Sequence, residues 1–545
     1  MPPVTPPLDV SAEELEALLE RARDALGEAG YQKLKAAIRT LSYVTELLEN
    51  RETTLASLRR LLCRVRSEKT AAVLEQAGIS RSPTSNQPAT DADSKKHVPG
   101  HGRNGARAHP GAQRVEVPHA SLQRGDRCPE CQRGKVYLLN EPGVLVRLRG
   151  QAPIAATVYE LQKLRCNLCG EVFTAEAPAG VGEAKYDATT ASMIALLRYG
   201  SGFPWNRLAD LQESLGIPLP VATQCEIVAA AAVPLQPAME ELIRQAAQGE
   251  VLHNDDTSMP VLALRRSASV ALNDDESNAP ERTGVFTSGI VSLAQKQTIA
   301  LFFTGRQHAG ENLADVLRRR TAELAPPMQM CDALSRNLPK LPSELEVIVG
   351  HCLAHARRRF VEVTPNFPEP CRHVLEQLGQ IYGNDAATHH QVMTPEERLR
   401  FHQQHSAPVM EELRGWLNFQ FAEKKVEPNS GLGMALRYVL KHWERLTLFL
   451  RQPGAPLDNN IVERALKKAI LHRKNSLFYK TENGARVGDL FMSLIHSCEL
   501  SGANPFDYLT QLQRHAGELA RNPSAWMPWN YRATVESSGA RLDSG

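Results

Sequence analysis

The stretch VLHNDDTSMPVL, which spans Val251–Leu262, decides the fold that this sequence predicts. An apolar run ends in two adjacent acids, Asp255 and Asp256, and a second apolar run follows them. After a polar loop, GVFTSGIVSL and QTIALFFTG form two strand-like runs separated by a short turn. Together these runs predict a three-stranded antiparallel meander whose first strand carries the two acids.

Strands and helices then alternate along the chain. Residues 311–320 have a helical pattern, PPMQMCDALSRN predicts a strand that ends in Asp332, and LEVIVGHCLAHARRRFVEV predicts a strand followed by a helix. The order β-β-β-α-β-α-β-α, with acids at the ends of the first and fourth strands, is that of a ribonuclease-H-like fold. Helical patterning over about residues 370–452 predicts a helical insertion within this core, which spans residues 249–480.

The last helix of the core is predicted over LDNNIVERALKKAILHRKNSLF, residues 457–478. Apolar residues recur on one face, and Glu463 lies in the first turn. The remainder of the helix is rich in cationic residues: Arg464, Lys467, Lys468, His472, Arg473 and Lys474. This composition suits a site that holds a metal ion with the carboxylate and a polyanion with the cations. A solvated helix with a Glu463–Lys467 pair, worth about 0.2–0.5 kcal/mol, is the alternative.

Three of these acids, Asp255, Asp332 and Glu463, together predict a magnesium site. Two Mg²⁺ ions about 3.5–4 Å apart stabilise the attacking and leaving oxygens of an in-line phosphoryl displacement. Carboxylates are the hard oxygen ligands that Mg²⁺ accepts, and Mn²⁺ is a candidate substitute. Asp256 remains a rival to Asp255, since the two residues are adjacent and the sequence does not orient them.

Residues 1–79 predict a helical oligomerisation region. The chain from Tyr31 to about Leu74 contains neither Gly nor Pro, which predicts a long helix. Leucines recur in it at intervals of seven: Leu34, Leu41, Leu48, Leu55 and Leu62. Such heptads predict a coiled coil, most simply in a homodimer, and an amphipathic helix packed on its own domain is the alternative.

Residues 80–114 have the composition of a flexible linker, with hardly an apolar residue. Its second half is basic and includes Arg103 and Arg107. Arginines between glycines on a flexible arm can follow a phosphate backbone or enter a minor groove. A solvated linker is the alternative.

Four cysteines indicate a zinc-binding module over residues 115–182. CPEC supplies Cys128 and Cys131, and CNLCG supplies Cys166 and Cys169. Two turns with two thiolates each provide the tetrahedral shell that Zn²⁺ prefers, and the strand-like runs between them suit a zinc ribbon. Two redox-active pairs are the alternative, but neither pair lies between a strand and a helix in a βαβ pattern.

The segments on either side of the core are predicted to be helical. Residues 183–248 predict three helices and are compatible with a helix-turn-helix, but ATQCEIVAAAA has few side chains that could reach base edges, which favours a packing role. Residues 481–545 predict C-terminal helices and a tail, of which VESSGARLDSG is expected to be disordered.

The bulk composition limits the class of protein. With 545 residues, the chain is long enough for three or four domains, and hydrophobic residues at 42% describe a globular protein. The net charge of +2 means that any polyanion binding must come from local clusters. The sequence contains no apolar run of the roughly 18–20 residues that a membrane span needs, and MPPVTPPLDV lacks the pattern of a signal peptide. A cytoplasmic location is therefore predicted.

The chain resembles transposases of the insertion sequence 66 family, in the DDE superfamily, from about residue 31 to about residue 515. The stretches that carry the resemblance are GHGRNGARAHPG, CPEC with CNLCG, AKYDATTASMIALLRYGSGFPWNRLADLQ, VLHNDDTSMPVL, MQMCDALSRN, HCLAHARRRF and LDNNIVERALKKAILHRKNSLF. The resemblance implies a catalytic triad of Asp255, Asp332 and Glu463, together with a four-cysteine zinc module and a leucine-zipper-like N-terminus. The residues expected to contact DNA are His355, Arg358, Arg464, Lys467, Arg473 and Lys474.

The expected function is that of a bacterial transposase. It would bind the terminal inverted repeats of its element, cleave DNA strands with Mg²⁺ and join them to target DNA, as a dimer or higher assembly at the nucleoid. Helper proteins encoded by the element are candidate partners. The alternative is a catalytically silent DNA-binding and assembly protein derived from a transposase.

Overall fold

The computed structural model describes residues 18–23, 27–36, 69–77, 117, 120–137, 152–165, 167, 172–179, 184–264, 284–294 and 297–542. The chain divides into two compact units. The core unit comprises residues 86–354, 393–400 and 442–545, and the helical unit comprises residues 1–85, 355–392 and 401–441. In these described ranges, no helix is both long enough and apolar enough to cross a membrane.

Both helices and strands contribute to the fold, as the predicted α+β class requires. The strands are β1 (Lys163–Arg165), β2 (Val172–Thr174), β3 (Val251–Ser258), β4 (Phe286–Ala294), β5 (Gln297–Gly305), β6 (Met328–Cys331) and β7 (Ile348–His351). The helices are α1 (Thr70–Gln76), α2 (Ala188–Ala195), α3 (Trp205–Ser214), α4 (Val221–Ala246), α5 (Ala309–Leu317), α6 (Leu353–Val363), α7 (Pro368–His390), α8 (Pro395–His405), α9 (Ala407–Ala422), α10 (Gly431–Lys441), α11 (Trp443–Leu446), α12 (Asn460–Ser476), α13 (Glu482–Leu500), α14 (Pro505–Arg514), α15 (Ala516–Arg521) and α16 (Tyr531–Leu542).

A mixed five-stranded sheet forms the centre of the core unit, in the spatial order β5-β4-β3-β6-β7. Strands β3, β4 and β5 form the predicted antiparallel meander, and β6 and β7 extend the sheet in parallel with β3. Most of β4 and all four residues of β6 are buried, which explains why the sequences of these strands are nearly continuous apolar runs. Asp332 directly follows β6, so the second predicted acid lies at the end of a central strand.

Helix α13 closes the free edge of this sheet at β5. The backbone N–H groups of alternate β5 residues donate to side chains of α13: Ala300 to Ser497 at 3.0 Å, Phe302 to Ser493 at 3.0 Å and Thr304 to Asp489 at 2.6 Å. Three polar residues four positions apart on one helix face therefore replace the partner that an edge strand lacks. This pairing protects the edge from adding another strand.

The segment before the sheet contains the three predicted helices, α2, α3 and α4. Gly202 and Gly216 have φ angles of +68° and +74°, and they lie in the two breaks between these helices. Helix α4 buries Val228, Leu235 and Leu242 in the hydrophobic core. This burial accords with a packing role for the helix.

Helices α7 and α9 pack together in the helical unit, and α1 packs on α7. Arg359 lies over the ring of Tyr438 at 3.9 Å, and the ring centroids of His373 and Trp416 are 4.6 Å apart. Gly433 permits close packing, because a Cβ atom there would lie 2.2 Å from the carbonyl oxygen of Glu427.

Two predicted features differ from the structure. Lys69 has an extended backbone, with φ −64° and ψ 131°, so the long helix predicted from Tyr31 to about Leu74 does not run through that position. Most of the leucine ladder lies outside the described residues: Leu41, Leu48, Leu55 and Leu62.

The C-terminal tail, for which the sequence predicts disorder, continues instead as helix α16 to Leu542. Its first residue, Tyr531, is buried against the core, which provides the tertiary contact that the polar sequence of the tail does not reveal.

A candidate carboxylate metal site in the core unit

Asp255 and Asp332 lie side by side just beyond the residues that pair β3 with β6. Asp332 follows the end of β6, whereas Asp255 lies within β3, which continues to Ser258 along β4 and does not end at the acids as the sequence predicts. His253 of β3 pairs with Met330 of β6, and each acid follows two residues later in its chain. The side-chain amide of Asn337 contacts both carboxylates: its Nδ2 donates to Asp332 Oδ1 at 2.6 Å and to Asp255 Oδ1 at 3.3 Å. Asn337 is fully buried, and its main-chain carbonyl oxygen accepts hydrogen bonds from the side-chain amides of Asn254 and Gln329. One buried asparagine therefore orients both acids.

The two carboxylates repel each other electrostatically. Burial, and then the negative charge of Asp332, raise the pKa of Asp255 to about 7. A divalent cation between such carboxylates would neutralise their charge and occupy their remaining oxygen lone pairs. The donor chemistry of the pair fits a hard metal ion such as Mg²⁺.

Helix α12 covers the sheet face to which Asp255 belongs. Asp255 is opposite Gly289 in the antiparallel register, and directly opposite residues share a face of the sheet. A Cβ atom on Gly289 would lie 3.0 Å from Leu466 and 3.2 Å from Val462, two buried residues of α12. Glu463 is adjacent to Val462, so the third predicted acid is carried by the helix that packs on this face.

The start of α12 is bonded directly to β3. Burial lowers the pKa of His253 to about 4, and its neutral ring donates from Nδ1 to Asn459 Oδ1 at 3.0 Å. Asn459 Nδ2 in turn donates to the carbonyl oxygen of Asn254 at 3.0 Å. Glu463 lies one helical turn beyond Asn459, and Asp255 lies two residues beyond His253 on the strand. These bonds hold the helix carrying Glu463 against the strand carrying Asp255.

Asp256 has a different environment from its neighbour. Successive side chains of a strand point to opposite faces. The Asp256 carboxylate accepts a hydrogen bond from His308 at 2.9 Å and forms an ion pair with Arg336 at 3.2 Å. Its side chain is only 1% exposed. The protein itself compensates the Asp256 charge, whereas the described residues provide no Lys, Arg or His ion pair for Asp255.

Comparison with known proteins identifies the family of this chain. The model of the Transposase IS66 family matches residues 184–487, which is more than half of the chain and includes all three acids. This chain belongs to the Transposase IS66 family. No solved structure matches it.

Three similar curated proteins of Sinorhizobium fredii (strain NBRC 101917 / NGR234) are each described as uncharacterized. Protein y4jD is 33% identical over 34% of this chain and 36% of its own length. Protein y4hP is 24% identical over 88% of both chains, and y4qI is 25% identical over 62% of this chain and 61% of its own.

In this IS66 family member, the cations of α12 fall into two groups. Arg464, Lys467 and Lys474 are exposed, as a surface that binds a polyanion requires. Arg473 instead donates to Thr257 Oγ1 at 3.1 Å and Ser258 Oγ at 2.7 Å, which joins the end of α12 to the end of β3. Lys468 pairs with Glu499 at 2.8 Å.

His472 also belongs to the interior of this family member. It stacks on Tyr479 with ring centroids 4.4 Å apart, and its Nε2 accepts from Arg198 at 3.0 Å. Burial lowers the pKa of His472 to about 3, so the ring is neutral. Its role is therefore to pack α12 on the core.

The remaining predicted DNA-binding residues lie outside the core unit or outside the described residues. His355 and Arg358 are half-buried on α6, in the helical unit. Arg103 and Arg107 fall in residues that the structure does not describe.

The first cysteine pair lies in a tight turn. Gln132 donates its N–H to the carbonyl oxygen of Cys128 at 2.8 Å, and Gly134 donates its N–H to Cys131 Sγ at 3.4 Å. The bond from Gly134 lowers the pKa of the Cys131 thiol, which favours the thiolate that binds metal. Strands β1 and β2 flank the second pair, but Cys166 and Cys169 themselves lie outside the described residues.

Sequence reasoning missed two asparagines of this site, Asn337 and Asn459. Both were present in the stretches that suggested the family, DALSRN and LDNNIVER, but asparagine in a turn ordinarily indicates a cap or a turn former. Their complete burial is the property that distinguishes them, and it arises from tertiary packing.

The raised pKa of Asp255 predicts a pH-dependent stability difference. A carboxyl group whose pKa is raised by folding contributes full stability below its ordinary pKa near 3.8, and this contribution is lost as pH rises through about 7. In EDTA at pH 8, Asp255→Asn is therefore expected to be more stable than wild type, by up to about 4 kcal/mol at 1.36 kcal/mol per pKa unit.

The measurement is the free energy of unfolding in urea, for both proteins, from pH 4 to pH 8. Asp256→Asn is the matched control, and it should be destabilised near neutral pH because it loses the ion pair with Arg336 and weakens the contact with His308. Burial also raises the pKa of Asp489 to about 7, so Asp489 contributes to the pH dependence of stability in both proteins. The effect of Asp255 is therefore the difference in free energy of unfolding between the variant and wild type at each pH. Equal stability of Asp255→Asn and wild type at pH 8 would contradict the prediction.

Proposed function

We propose that this chain is a metal-dependent DNA transposase that cleaves strands at the ends of its element and joins them to target DNA. The observation that carries this proposal is the pair of acids, Asp255 and Asp332, that share the buried amide of Asn337. Membership of the Transposase IS66 family supports the same role. The strand order β5-β4-β3-β6-β7 supports a ribonuclease-H-like core.

We assign Asp255, Asp332 and Glu463 as the ligands of two Mg²⁺ ions. When bound, the ions would stabilise negative charge on the attacking and leaving oxygens of an in-line displacement at phosphorus. Asn337 orients the two aspartates, and the bonds of Asn459 to β3 hold the helix that supplies Glu463. Asp256 is assigned a structural role, because His308 and Arg336 already compensate its charge.

The exposed cations of α12 would bind the DNA backbone. Arg464, Lys467 and Lys474 lie on the helix that also carries Glu463, so phosphates that they hold would pass close to the acids. The DNA partners are the terminal inverted repeats and the target. An oligomeric assembly, element-encoded helper proteins and a cytoplasmic, nucleoid-associated location belong to the same proposal.

A structural zinc ion is proposed for the four-cysteine module. The turn at Cys128 and Cys131 supports it, since a backbone N–H directed at a cysteine sulfur stabilises the thiolate. We expect one Zn²⁺ per chain by elemental analysis, and loss of that zinc in Cys131→Ser. Cys225→Ser, at a cysteine outside the module, is the control and should keep its zinc. Full zinc content in Cys131→Ser would contradict the assignment.

Strand cleavage by the wild-type chain tests the main proposal. The substrates are labelled duplexes copied from the DNA that flanks the gene for this chain, incubated with Mg²⁺, with Mn²⁺ or with EDTA. The expected result is metal-dependent cleavage at one end of the element, followed by joining of the cut strand to a second duplex. Specific binding without cleavage, even with candidate helper proteins added, would support the silent DNA-binding protein instead.

A further inference from the structure

The residue after α12, Leu477, has an unusual backbone conformation. Its φ is +67° and its ψ is −45°, and Phe478 donates its N–H to the carbonyl oxygen of Ser476 at 2.8 Å. This pattern is a three-residue γ-turn of the strained form, which is rare for a residue with a branched side chain. Glycine would adopt the same turn without strain.

The two apolar side chains of this turn face solvent. Leu477 is 64% exposed and Phe478 is 40% exposed. The turn thus combines backbone strain with apolar surface that the part of the chain described by the structure leaves exposed. Strained, exposed residues of this kind are concentrated at ligand-binding sites.

The turn is joined to the segment that continues β3 beyond its two acids, and it lies about 20 Å along the axis of α12 from Glu463. Arg473, in the last turn of α12, bonds to Thr257 and Ser258, which follow the two acids of β3. Beyond the turn, Tyr479 donates its main-chain N–H to the carbonyl oxygen of Pro260, and its own carbonyl oxygen accepts from the N–H of Leu262. The chain on both sides of Leu477 is therefore joined to the segment that continues from Asp255. Lys474 is exposed on the same last turn of the helix.

We propose that Leu477 and Phe478 form an apolar wedge that enters the base stack of DNA a few base steps from the phosphate that is cleaved. This inference rests on the proposed function. Exposed cations of α12 would hold the backbone while the wedge contacts base faces, which are the apolar surfaces that DNA offers. Opening one base step there would weaken the pairing of the strand that runs to the carboxylates.

The test uses full-length protein and the flanking duplexes described above, with the fluorescent base 2-aminopurine placed in turn at each of the first several base steps on both sides of the cleaved phosphate. This base is quenched when stacked and brightens when unstacked. The variants are Leu477→Gly, which suits the positive φ, and Phe478→Ala. The control is Val392→Gly, since Val392 also has a positive φ, 52°, is 86% exposed and belongs to the helical unit.

Wild type and Val392→Gly are expected to increase the fluorescence at one step within a few base pairs of the cleaved phosphate. Both wedge variants are expected to lose that increase while still binding the duplex. The melting temperature of Leu477→Gly should not fall, because glycine relieves the strain. Its cleavage of a paired duplex should fall by about 10- to 100-fold, the equivalent of a few kcal/mol of unstacking, and a mismatch at that step should restore it.

Three results would overturn the wedge. If wild type cuts without any increase in fluorescence, or if Leu477→Gly behaves as wild type, the wedge is wrong and the transposase proposal stands. If Leu477→Gly loses cleavage because it no longer self-associates, the turn is a protein interface. If wild type neither binds nor cuts these duplexes, the proposed function fails and the wedge fails with it.

Discussion

The Asp332→Asn substitution is expected to reduce DNA strand cleavage by about 10³-fold or more, while duplex binding stays within about threefold of wild type. Removing a charged metal ligand removes several kcal/mol of transition-state stabilisation, and each 1.36 kcal/mol is a factor of ten in rate. Asparagine retains the oxygen that accepts from Asn337 and from the Leu334 N–H, so the local fold is preserved. Asp255→Asn and Glu463→Gln are expected to behave in the same way.

Single-turnover cleavage and a separate binding titration measure the two effects. Asp315→Asn is the matched control, because Asp315 is an exposed aspartate of α5 in the same unit, paired with Arg318. Asp256→Asn should cut DNA but unfold more readily, since its loss is structural. If Asp256→Asn loses cleavage and Asp255→Asn retains it, the two aspartates have been assigned the wrong way round.

The Gly310→Ala substitution is expected to have the largest effect on the fold near the site. A Cβ atom at Gly310 would lie 2.4 Å from the carbonyl oxygen of Leu338 and 2.7 Å from that of Arg336. These two backbone groups flank Asn337, so the loop that orients both aspartates must move. Overpacking of this kind costs about 1–3 kcal/mol, and a displacement of about 1 Å in a catalytic group can lower the rate about 10²-fold.

Urea unfolding and the cleavage rate, measured on the same preparation, test this expectation. Gly305→Ala is the control, because no atom lies within 4 Å of the position that its Cβ would occupy. The Gly305→Ala variant should retain wild-type stability and rate. A Gly310→Ala protein that cuts DNA at the wild-type rate would show that the position of Asn337 does not matter for cleavage.

Much of the fold could be predicted because its signals are local in the sequence. The alternation of apolar runs and turns predicted β3, β4 and β5, and Asp332 follows the end of its strand as predicted. Asp255 lies inside β3, because the strand continues past both acids along β4 to Ser258. The same local rules failed at the C-terminus, where the polar stretch after Tyr531 is helical. They also could not show that Asp489, Ser493 and Ser497 on α13 would pair with the edge of β5, since this pairing links residues almost 200 positions apart.

The sequence by itself determined the inventory of chemistry: three acids, a cationic helix and two cysteine pairs. Only the tertiary structure decided how the acids are used. Alternation along β3 requires Asp255 and Asp256 to face opposite sides, but which side is covered by α12 depends on Gly289 and on the bonds of Asn459 to β3. The burial of Asn337 between two carboxylates was likewise invisible, because burial is a property of the folded chain and not of local pattern. Secondary structure follows from neighbours in sequence, whereas the electrostatics of a site follow from neighbours in space.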